Sequence, residues 1–72
     1  MVICYKKLWK LLIDKDLKKK DLISLAGISQ SSLTKMGKKQ NVNTDILVRI
    51  CTALDCQIGD IVELVPDHTH DE

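Results

Sequence analysis

The sequence predicts an all-α domain of five short helices, with its two ends able to pair as a two-stranded antiparallel ribbon. Three observations lead there. Apolar residues recur at helical spacing in successive short segments, each bounded by polar or glycine-containing breaks. Tyr5 and Trp9 are the sole aromatic residues and phenylalanine is absent, so the core must be built from Leu, Ile and Val. That palette suits packed helices better than a β-sandwich. At 72 residues the chain lies near the lower size at which a hydrophobic core holds a fold unaided. Such a chain gains from self-association or from a ligand.

Val2–Tyr5 reads as a short extended segment. Leu8, Leu11 and Leu12, with lysines between them, predict an amphipathic helix over 6–15, and Trp9 at the edge of that stripe is expected to be half-buried. Asp14-Lys15-Asp16 ends this helix without a glycine. A second helix is predicted over 18–26, with Leu22, Leu25 and Ala26 inward and Asp21 in its first turn, where a carboxylate complements the helix dipole. Gly27 stops it by taking the left-handed conformation, Ile28 plugs the turn, and Ser29 caps a third helix over 30–37. There Leu33 and Met36 face inward, and Gln30, Ser31, Thr34 and Lys35 face outward. After a polar loop, Asn43 or Thr44 caps a fourth helix reaching Leu54. Its buried stripe is expected to be Ile46, Leu47, Ile50, Cys51 and Leu54, with Asp55 as its left-handed terminator. A fifth, short helix is expected at 58–61. Val62–Val65 alternates before Pro66 and can pair antiparallel with Val2–Tyr5, although a ribbon this small needs the helices beneath it. Residues 1–66 are thus expected to form the domain, and 67–72, which have no apolar anchor, a disordered tail.

The net charge of +1 conceals a strong segregation. Residues 1–40 carry ten lysines against Asp14, Asp16 and Asp21, a balance of +7; residues 41–72 carry Arg49 against seven acids, a balance of −6. One half suits a polyanion and the other repels it. The apolar start at Met1–Cys4 is too short for a signal peptide. No stretch approaches the roughly 20 apolar residues that span a membrane, so a cytoplasmic location is expected. Cys4, Cys51 and Cys56 are odd in number and lack CxxC spacing, which points to reduced apolar residues rather than a disulfide framework or zinc site.

The segment Leu22-Ile23-Ser24-Leu25-Ala26-Gly27-Ile28-Ser29-Gln30-Ser31-Ser32-Leu33 resembles the helix-turn-helix of the Cro/lambda-repressor-like family, also called the xenobiotic-response-element family. Leu22 and Leu33 stand where the two helices clamp together, Gly27 where the chain turns, and Ile28 where the corner is sealed. Asn43–Val62 resembles the family's fourth and fifth helices, so the likeness covers 6–62. The flanks resemble a small bacterial and phage-like subgroup that adds a terminal strand pair. Three positions depart from the family pattern: Ile23 for the usual alanine, Lys18 for a Thr or Ser cap, and Gly37 for a common Glu.

The resemblance implies a five-helix lambda-repressor-like DNA-binding domain whose third helix enters the major groove of double-stranded DNA. It assigns base contacts to Gln30, Ser31, Thr34 and Lys35. It assigns phosphate contacts to Lys18, Lys19, Lys20, Ser32, Lys38 and Lys39, which fix orientation without reading sequence. It also implies a homodimer, with the fifth helix and terminal strands (Ile58, Val62, Leu64, Val65) as the contact, and a regulator acting as a repressor. The competing reading is a protein-interaction module or antitoxin-like partner that keeps the fold without reading DNA by itself. An enzyme is not expected: no nucleophile–base constellation or glycine-rich phosphate loop falls in the ordered region, and no cofactor is implied. His68 and His70 form a His-x-His pair in the tail, which makes a poor metal site for want of a rigid frame.

Overall fold

A computed structural model describes residues 1–67. The elements run β1 (Val2–Cys4), α1 (Lys6–Asp14), α2 (Lys19–Ala26), α3 (Gln30–Gly37), α4 (Thr44–Leu54), a 3-10 turn (Ile58–Asp60) and β2 (Glu63–Val65). Of the expected tail, 67–72, all but Asp67 lies outside the described residues, both histidines included. The strands pair antiparallel with Val2 opposite Val65, Ile3 opposite Leu64 and Cys4 opposite Glu63, so the expected ribbon forms. It brings Cys4 and Tyr5 into the core beside α1.

The core is aliphatic, as the composition requires. Leu8 and Leu12 from α1, Leu22 and Ala26 from α2, Leu33 and Met36 from α3, and Leu47, Ile50 and Leu54 from α4 converge with Tyr5, Ile28 and Ile61. Each fully buried Leu or Ile contributes about 1.5–3 kcal/mol by leaving water. In so small a core, removing one, as in Leu22→Ala, costs about 2–5 kcal/mol. Among the described residues no side-chain polar atom is buried without a partner, so nothing offsets that gain from within.

Three expectations are corrected. The described residues hold four α-helices, not five: the segment after α4 makes a single 3-10 turn at Ile58–Asp60. Gly59 favours helix weakly, the Asp60 carboxylate accepts from the Gln57 N–H at 2.9 Å, and the chain must be extended again by Glu63 to pair with β1. Leu25, expected inward, is 55% exposed. The buried stripe of α2 centres instead on Leu22 and Ala26 with Ile23 beside it, because α2 packs on α4 along that side. In α4 the stripe narrows for the same reason, leaving Ile46 and Cys51 half-buried.

All four helices end alike. In each, a left-handed residue follows the last turns and the next N–H reaches back five residues, the Schellman closure. Asp16 (φ 58°) lets Leu17 N–H donate to Leu12 O at 2.8 Å, and Gly27 (φ 67°) lets Ile28 N–H donate to Ile23 O at 3.3 Å. Lys39 (φ 60°) does the same for Gln40 N–H and Lys35 O at 2.9 Å, and Asp55 (φ 52°) for Cys56 N–H and Cys51 O at 3.0 Å. The terminators expected at Gly27 and Asp55 are present. Those at Asp16 and Lys39 occupy a conformation that L-residues disfavour by about 1–2 kcal/mol.

Candidate nucleic-acid interface

The corner between α2 and α3 is built from short-range chemistry. The Gly27 N–H donates to Ile23 O at 3.0 Å, closing α2, and Ile28 drops into the core. Ser29 turns the chain into α3: its hydroxyl accepts from the Ser32 N–H at 3.2 Å and lies 3.1 Å from the hydroxyls of both Ser31 and Ser32. Across the corner, Arg49 of α4 donates from Nε to Asp45 Oδ2 at 2.8 Å and from Nη1 to Gly27 O at 3.4 Å. Both charged side chains are more than half exposed, so the ion pair adds little stability and acts mainly to aim the guanidinium at the corner. The sequence set Arg49 only in the charge balance of residues 41–72, and no local spacing marks a contact with Gly27 O from 22 residues away.

At the start of α2, Lys18 supplies the cap position without a capping side chain. Asp21 makes good the loss by accepting from the Lys18 N–H at 2.9 Å. The Lys19 ammonium sits 4.4 Å from the centroid of the half-buried Trp9 ring, a cation–π contact that holds one of the three consecutive lysines in place. Lys18, Lys19 and Lys20 are all exposed.

Leu33 and Met36 anchor α3, leaving Gln30, Ser31, Thr34 and Lys35 exposed on its outer side as expected. The Thr34 hydroxyl donates to Gln30 O at 3.0 Å, which leaves its oxygen lone pairs facing solvent. The four residues assigned base contacts line one open hollow of about 590 Å³, together with Lys38 and Gln40. Lys38, expected at phosphate, thus lines the same hollow as the four residues expected at bases. Ser32 is half-buried, and Lys39 is exposed at the left-handed position that ends α3.

Gln40 borders the same hollow, and the sequence did not single it out. The closure at the end of α3 sets it against Lys35, and the buried Tyr5 ring donates from its hydroxyl to Gln40 O at 3.1 Å. The loop after α3 is therefore fastened to the core at the position where it borders the hollow. Burial pushes the Tyr5 phenol above its ordinary value, so it stays protonated and a donor at neutral pH. The one available signal was the terminal pattern of α3, hidden because a lysine stands where a glycine announces such an ending.

The profile of the Cro/C1-type HTH DNA-binding domain matches residues 7–67. The chain belongs to this Cro/C1-type family. The chain is also similar to the transcriptional regulator VanUg, whose form II crystal structure superposes with a TM-score of 0.88 at 47% identity. That likeness covers 92% of this chain and 88% of VanUg. No curated protein matches the chain. As a Cro/C1-type domain the protein is a DNA-binding domain of the regulator class, and among the described residues no helix is long and apolar enough to cross a membrane.

Proposed function

We propose that this Cro/C1-type protein binds double-stranded DNA sequence-specifically and represses transcription by occupying its site, with α3 in the major groove. The observation that carries the reading is the outer side of α3: Gln30, Ser31, Thr34 and Lys35 share one open hollow with Lys38 and Gln40, and Lys18, Lys19, Lys20 and Lys39 are exposed. A helix with its side chains is about 10–12 Å across and the major groove about 12 Å wide, so such a side enters without unfolding. Gln30 has the donor–acceptor pair that reads adenine, and Lys35 the donor that reads the acceptors of guanine. Lys18, Lys19, Lys20, Ser32, Lys38 and Lys39 hold phosphates on either side.

The regulator works as a two-fold dimer. Ile58 is 48% and Leu64 64% exposed on the 3-10 turn and β2, and the half-buried Val62 and Val65 continue the patch, which a second copy covers. Its site is then a palindrome with half-sites about one helical turn apart.

Selection from random duplexes tests the reading. It should return a palindrome, and binding should weaken steeply with salt. Equal recovery of all sequences with no salt dependence at low ionic strength would favour the protein-interaction module instead. Light scattering showing a monomer at high micromolar concentration, with and without the selected duplex, would remove the dimer.

A further inference from the structure

The same helix ending, used four times, brings a different pair of side chains together each time. In α1 and α2 the pairs are Leu12 with Leu17 and Ile23 with Ile28, the apolar contact that ordinarily accompanies the closure. In α4 both positions are cysteine. Cys56 N–H donates to Cys51 O at 3.0 Å, and adding the Cα-to-oxygen and N-to-Cα spans puts the two Cα atoms at most about 7 Å apart. Disulfides bridge Cα separations of about 4.4–6.8 Å. Both thiols are free and half-buried, and they border the same surface hollow. They open onto a surface hollow bordered by Val48, Asp55, Gln57 and Ile58, so a small reagent can reach them. Cys4 is buried on β1 and takes no part.

We propose that Cys51 and Cys56 form a dithiol modification site, which a low-molecular-weight disulfide oxidises to an intramolecular disulfide. One cysteine, as thiolate, attacks the reagent's sulfur and releases the first reagent thiolate. The second then attacks the mixed disulfide, forming the Cys51–Cys56 bond and releasing the other. Two protons leave the protein's thiols and protonate the two departing thiolates; the protein loses two electrons and the reagent gains them. The bond ties the end of α4 to the residues just before Ile58. Burial, with Cys51 alongside, pushes the Cys56 thiol up to about 11, so exchange at neutral pH is slow and incubation must run to equilibrium.

The test incubates the full chain with excess glutathione disulfide, then measures intact mass and counts alkylatable thiols after unfolding. The expected product is lighter by two hydrogen atoms, carries no glutathione and retains Cys4 as its one free thiol. Peptide mapping should find the Cys51–Cys56 link, and the oxidised chain should melt roughly 9–18 °C higher because a short loop is closed. Cys56→Ser should keep a glutathione on Cys51 and show no such rise. Three alkylatable thiols at equilibrium, stable glutathione adducts on both Cys51 and Cys56, or a link through Cys4 would each overturn the proposal.

Discussion

Gly27 allows the helix-ending argument to be tested with a sign as well as a size. It stands at φ 67°, and a Cβ built there meets nothing closer than Arg49 Nη1 at 3.6 Å, an ordinary contact. Gly27→Ala therefore isolates backbone strain from steric clash. An L-residue in this region costs about 1–2 kcal/mol, and the stiffer unfolded chain offsets about 0.4–1 kcal/mol of it. The net loss is about 0.5–1.5 kcal/mol. For a domain of 60–100 residues each kcal/mol moves Tm by about 4–8 °C, so thermal unfolding followed by circular dichroism should fall by roughly 3–10 °C. Asp16→Gly and Asp55→Gly should move the other way, by about 0.5 kcal/mol each. They relieve the same strain and remove a negative charge from the negative end of a helix dipole. An unchanged Tm in Gly27→Ala, or destabilisation by both aspartate-to-glycine changes, would refute the account of how these helices stop.

Tyr5→Phe removes the hydroxyl that holds Gln40 O, and urea titration should show a loss of about 0.5–1.5 kcal/mol at neutral pH. Because burial raises the folded-state value, the stability due to keeping the phenol neutral is fully present below the unfolded value near 10. It is lost as pH rises through the folded value. Wild type should therefore fall towards Tyr5→Phe in stability above about pH 10, whereas a constant gap would contradict the burial argument. Gln40→Ala should leave Tm unchanged and relax sequence preference at one base position by about 1–3 kcal/mol in competition binding; a uniform loss on all duplexes would make it a backbone contact instead. Lys38→Ala should reduce the log–log salt slope of duplex binding by about 0.9, and an unaltered slope would take Lys38 off the phosphates.

Features that depend on residues close together in the chain could be read before any coordinates. Periodicity and capping chemistry place four helices to within a residue or two: Ser29 and Asn43 cap α3 and α4, and Gly27 makes the corner. The side of α3 left outward follows from Leu33 and Met36. The strand pair was legible because Val62–Val65 alternates before Pro66 and Val2–Tyr5 reads as extended. Local rules failed where an ending is made by a residue that does not ordinarily make it. Asp16 and Lys39 give no signal comparable to glycine, so Gln40 was overlooked. The helix expected at 58–61 failed because its extent is limited by the need to reach β1, a demand from the other end of the chain.

Only the tertiary structure decided which side of each amphipathic helix is covered. Leu22, Ala26 and Leu25 satisfy one helical spacing equally well, but α4 crosses α2 on a single side, so Leu25 remains in solvent. The same crossing delivers Arg49 to Gly27 O, and the ribbon delivers Tyr5 to Gln40 O across 35 residues of sequence. A chain specifies its local turns through bonds of a few residues' reach. The burial of a face is set by what packs against it, and that is a property of the assembled core.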